Sequence, residues 1–241
     1  MKRRSIVGIV LISLLMGIVG CTNGSEAGTT AASVSSESQT ASTSVSEDND
    51  LVEPIEEQRD LKPVIYLYPL EDNKEISVSL DYNGNLVELI PEFNAENTWN
   101  VTANRDGKIT FEGKTYDYLF WEGDPNYSYD FYSGFCVKGS ETEKFLNEKL
   151  TILGLNDSEK AEFIEFWLPM MEKNQYNLIS FQGNNYNRGA KLTVSPEPDT
   201  LIRVFMAWYP TDKYIKINPQ YLETPVRGGF TVVEWGGNRV R

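Results

Sequence analysis

Three charged residues sit inside stretches that otherwise alternate as half-buried strands. Glu122 falls in register with Tyr116, Tyr118 and Phe120. Glu234 falls in register with Phe230 and Val232, and Arg203 lies between Leu201 and Phe205. Side chains two apart share a strand face, so each charge extends a face that is otherwise apolar or aromatic. A lone buried charge costs several kcal/mol, so such groups pair or shift their pKa. Two arrangements satisfy this pattern. In the first, Arg203 neutralises one or both glutamates at a sheet edge. In the second, Glu122 and Glu234 approach across a cleft flanked by Trp121 and Trp235. One carboxyl then protonates a glycosidic oxygen, the other serves as base or nucleophile, and the indoles stack on sugar faces. The same cleft without chemistry would bind a sugar or a peptide.

Composition removes many alternatives. The chain of 241 residues has no His and two Cys, which excludes Ser-His-Asp and Cys-His catalysis and His-ligated or Cys₄ zinc. A net charge of −13 argues against nucleic acid as a partner, because phosphate neutralisation needs basic surface. Gly107 to Thr115 resembles a phosphate-binding loop, but five residues separate its glycines where four are required. Asp124 to Asp130 alternates oxygen-bearing side chains like a calcium loop, yet lacks the turn glycine and the closing Glu. Cys136 has no His partner and lies in an aromatic stretch, as a structural thiol does. No metal or other cofactor is implied.

The elements that must position the three charges read as strands, then helices, then strands. Strand patterns cover Val64 to Tyr68, Ile76 to Leu80, Trp99 to Ala103, Lys108 to Phe111, Tyr116 to Trp121 and Phe135 to Lys138. Asn83-Gly84 and Asp106-Gly107 are hairpin signals. Ser140 and Glu143 fit a capping box before one helix, which Gly154 stops. Asn156 or Asp157 caps a second, which Pro169 should kink or end. Strands resume at Asn177 to Phe181, Lys191 to Val194, Leu201 to Tyr209 and Phe230 to Trp235. The expectation is an α+β domain, with a mainly antiparallel sheet and two inserted helices.

Three compositional parts follow one another. Residues 1–20 carry Lys2, Arg3 and Arg4 and then a nearly unbroken apolar run, as a signal peptide does. Residues 21–60 are rich in Ser, Thr, Ala and acids and contain no aromatic residue, which predicts a disordered acidic tether. Residues 61–241 hold all 13 Tyr, 11 Phe and 5 Trp and predict one globular domain.

Ile18-Val19-Gly20-Cys21 resembles the lipobox of bacterial lipoproteins. That resemblance implies cleavage before Cys21 and attachment of a diacylglyceryl group to its thiol. The segments KPVIYLYP (62–69), LFWEG (119–123) and GFTVVEWGG (229–237) resemble the signatures of a family of uncharacterised exported bacterial proteins. The family implies a domain boundary and no catalytic residues. Together these readings predict a lipoprotein on the extracytoplasmic face of a bacterial membrane. Its domain binds or supports envelope glycan or protein; a carboxylate-based glycan hydrolase is the alternative.

Overall fold

The computed structural model describes residues 58–240. The lipobox, Cys21 and most of the expected tether lie outside the described residues. The strands in chain order are β1 (Leu61–Tyr68), β2 (Lys74–Tyr82), β3 (Gly84–Ile90), β4 (Thr98–Ala103), β5 (Ile109–Phe111), β6 (Lys114–Tyr116), β7 (Leu119–Pro125) and β8 (Phe135–Lys138). Helices α1 (Thr142–Ile152) and α2 (Asp157–Met171) follow, then β9 (Tyr176–Gln182) and the short α3 (Asn184–Gly189). Strands β10 (Ala190–Ser195), β11 (Thr200–Thr211) and β12 (Thr231–Arg239) complete the domain.

Seven strands form one sheet in the order β3-β7-β1-β12-β11-β9-β8, and five form a second in the order β10-β2-β4-β5-β6. All pairings are antiparallel except β11 with β12. This is the α+β domain with mainly antiparallel sheets that the alternating patterns anticipate. Period two explains the layering. On β1, Val64 and Tyr66 pack with Leu146, Leu150, Phe163 and Trp167 of the helices. Ile65 and Leu67, on the opposite face, pack with Ile76, Val78 and Leu80 of the second sheet. The larger sheet is therefore a middle layer, with α1 and α2 on one face and the smaller sheet on the other.

Strand β12 is buried along nearly its whole length, because both of its faces are covered. All five tryptophans are fully buried. Each large aromatic side chain contributes about 4–6 kcal/mol of transfer free energy before entropy is counted. An aromatic core of this size stabilises the domain although its single cysteine, Cys136, is free.

Several local expectations hold for the stated reasons. Asn156 accepts from the Glu159 amide while the Glu159 carboxylate accepts from the Asn156 amide, a reciprocal cap. Gly154 takes φ +89°, and the amides of Gly154 and Leu155 close α1 onto the carbonyls of Thr151 and Leu150. Asp106-Gly107 turns β4 into its partner β5.

Others do not hold. Asn83-Gly84 makes no hairpin: β2 already has β10 on one side and β4 on the other, so the chain crosses here to the larger sheet. Ser140 caps no helix; it lies in a 3₁₀ turn, and α1 begins without a side-chain cap. Pro169 does not itself end α2, which runs two residues further to Met171. The Tyr116 to Trp121 stretch divides between β6 and β7, which belong to different sheets.

Candidate functional site

The structure separates Glu122 from Glu234. Ile65 stands in register with Leu119 on one side and with Glu234 on the other, so these side chains share the face toward the smaller sheet. Trp121, two residues beyond Leu119, joins that face, and its indole nitrogen donates to Glu234 Oε1 at 3.2 Å. Glu122 follows Phe120 onto the opposite face, beside the helices. There its Oε1 accepts the Lys62 amide at 3.2 Å, and burial raises its pKa. A glycosidase needs its two carboxyl groups to face one cleft. Here the middle sheet lies between them, so they cannot act on one bond.

Arg203 pairs with Glu234 alone. The register places them side by side on β11 and β12, and Arg203 Nε donates to Glu234 Oε2 at 2.7 Å. Tyr186 from α3 donates its hydroxyl to the same oxygen at 3.0 Å, and its ring lies 4.7 Å from the guanidinium carbon. Burial works against the Arg203 charge, but Glu234 and Tyr186 together more than offset it and hold the guanidinium above its ordinary pKa. Glu234 is thus saturated by an indole, a phenol and a guanidinium. Neither Trp121 nor Trp235 offers a face to a sugar. Both are fully buried, on opposite faces of the sheet, with Trp235 against Phe163 at 5.3 Å.

A second buried carboxylate has the richer surroundings. Asp60 lies just before β1 and is fully buried. The hydroxyls of Tyr82 and Tyr127 donate to its Oδ2 at 2.8 and 2.9 Å. The Tyr129 hydroxyl and Asn238 Nδ2 donate to its Oδ1, the latter at 3.0 Å. Burial raises the Asp60 pKa, and the four donors offset only part of that rise. Burial, and then the charge of Asp60, also raises the pKa of Tyr82 and of Tyr129, so both phenols keep the proton they donate.

Aromatic rings link the two carboxylates. Tyr82 meets Trp121 edge-on at 4.9 Å, and Phe205 stacks between Tyr129 at 5.4 Å and Tyr186 at 4.0 Å. The result is a water-poor layer between the sheets with a satisfied acid at either end. Its chemistry is positional: it fixes where the chain enters the domain. Gln58 and Arg59 extend the same root, donating to the Val240 carbonyl and to the Asp124 carboxylate. The folded part therefore begins before Leu61, inside what composition assigns to the tether.

Sequence reasoning missed Asp60 because it closes an acidic run and reads as one more solvated charge. The available signal was the spacing of Tyr127 and Tyr129, two residues apart and thus able to face one group. Asp124, near the end of β7, is held by Arg59 at 2.8 Å, and Asp130 in the loop that follows accepts the Tyr132 amide. Among the described residues, no group of three or more Cys, Asp or Glu side chains could hold a metal ion.

Comparison with known proteins adds kinship. No family model matches the chain, and no solved structure matches it. Over 124 residues it is 56% identical to an uncharacterized protein in the bglA 3′ region of Butyrivibrio fibrisolvens, a match spanning 52% of this chain and 100% of that protein. The chain belongs to the family of that uncharacterized Butyrivibrio protein.

Proposed function

We propose that this chain is a lipid-anchored module of the bacterial envelope whose folded domain binds or braces rather than catalyses. Cys21 carries the lipid, and the acidic segment that follows holds the domain away from the membrane. The observation that supports this reading is the Asp60 root. At the point where that segment enters the domain, a fully buried carboxylate accepts four side-chain hydrogen bonds, from the β2 end, the β7–β8 loop and β12. A tethered domain needs its chain entry fixed against pulling, and this one is tied to three separate parts of the fold. Glu122 and Glu234 lie on opposite faces of the larger sheet and form no opposed pair. Among the described residues, no helix is long and apolar enough to cross a membrane.

The test is metabolic lipid labelling of the full chain with fractionation. The wild type should carry label and sediment with membranes, and Cys21→Ser should do neither. Unlabelled wild-type chain in the soluble fraction, its leader uncleaved, would overturn the proposal.

A further inference from the structure

The smaller sheet presents an outer face made of short polar side chains. Alternation sends Ile76, Val78, Leu80, Trp99, Val101 and Ile109 inward to the core. The residues between them face solvent. Register sets them in rows across the sheet: Ser195, Ser77 and Asn100 in one, and Glu75, Thr102, Thr110 and Thr115 in another. Neighbouring strands place these rows on a grid of about 4.8 Å across the sheet and roughly 6.8 Å along it. A groove of roughly 610 Å³ runs over this grid, lined by Glu75, Ser77, Asn100, Thr102, Thr110 and Glu112 among others. That volume is of the size that takes a small ligand or a few units of a polymer.

We infer that this groove binds a neutral polysaccharide, reading its hydroxyl groups through the Ser, Thr and Asn rows; the inference rests on the reading of the domain as a binding module. The lining chemistry selects the class. Hydroxyl and amide groups both donate and accept, as a polyol requires, and the apolar Ile76, Val101, Phe111 and Pro196 of the lining are a minority beside them. The hydroxyls of Thr102, Thr110 and Ser195 make no hydrogen bond among the described residues, so they are free to meet a ligand. Ser77 and Asn100 are tied to each other at 2.6 Å, which holds the central row in place. The charges in the lining are Glu75 and Glu112, with no Lys or Arg. Carboxylates accept from sugar hydroxyls and repel acidic polymers, so the lining admits an uncharged polyol and turns away a polyanion. Neutral hydrogen bonds exposed to water each contribute modestly. Affinity therefore comes from repetition along a polymer rather than from one sugar.

The experiment is depletion of the full-length protein, in detergent, by insoluble cellulose, chitin and mannan, with polygalacturonate as the acidic control. At least one neutral polysaccharide should retain the protein and polygalacturonate should not. Thr102→Val with Thr110→Val keeps the β-branched shape and removes two hydroxyls. This double variant should lose at least tenfold in retention while its melting temperature and tryptophan emission stay unchanged. Three results overturn the inference: no retention on any neutral polysaccharide, retention untouched by the double variant, or self-association through this face with no glycan bound. If any of these occurs while labelling still places the protein on membranes, the groove assignment fails and the anchored-module reading stands.

Discussion

Asp60 Oδ1 accepts a hydrogen bond from Asn238 Nδ2 at 3.0 Å across a separation of 178 residues. The bond joins the chain's entry into the domain to the end of β12, its last strand. Three tyrosine hydroxyls converge on the same carboxylate. Truncating Asp60 therefore frees four donors at once.

Asp60→Ala should lower stability by about 2–4 kcal/mol, because partly buried donors lose their acceptor. For a domain of this size, that corresponds to a fall of roughly 5–15 °C in Tm. The pH dependence has a definite sign. Burial raises the Asp60 pKa above the ordinary 3.8, so the folded state keeps this proton to higher pH than the unfolded chain does. The associated stability is fully present below 3.8 and is lost as pH rises through the folded value. In urea titrations, the stability of the wild type relative to Asp60→Asn should decline from acid to neutral pH. A difference that stays constant with pH would contradict this account of the carboxylate.

Arg203 and Glu234 form a buried pair, and removing one partner leaves the other charge uncompensated. Arg203→Met and Glu234→Gln should each cost about 3–5 kcal/mol, whereas the double variant should cost much less than their sum. A double-mutant cycle by denaturant unfolding measures the coupling. Additive single effects would show that the two side chains do not act as a unit.

Gly123 lies where the Tyr82 ring crosses β7. A Cβ there would run into that ring and sit 2.9 Å from the Asn85 carbonyl oxygen. Its own backbone also pairs with Asp60. Gly123→Ala should therefore push Tyr82 off the Asp60 carboxylate and destabilise by about 1–3 kcal/mol, as overpacking does. Near-ultraviolet circular dichroism should register the displaced ring. An unchanged spectrum with unchanged stability would mean that the ring moves aside freely.

The proposed carboxylate pair shows how far strand periodicity reaches. Alternation correctly assigned a face to each glutamate, Glu122 beside Phe120 and Glu234 beside Val232. It carries no information on how separate strands are oriented about a sheet. That depends on which residues stand in register, and Ile65 between Leu119 and Glu234 decides it. Asn83-Gly84 teaches the same lesson for topology. The dipeptide has the conformational freedom of a hairpin turn, but β2 already had a neighbour on both sides.

From its residues alone, the chain declares an α+β domain, the two central helices with a cap at Asn156 or Asp157 and the Gly154 stop, and Arg203 as one of two ways to satisfy the strand glutamates. These follow from local periodicity and backbone chemistry, which act over a few residues. The buried root at Asp60, the choice of Glu234 over Glu122 as the partner of Arg203, and the hydroxyl rows over the smaller sheet were decided only by tertiary structure. Each depends on side chains brought together from strands far apart in sequence, and the packing of sheet on sheet sets which of them meet.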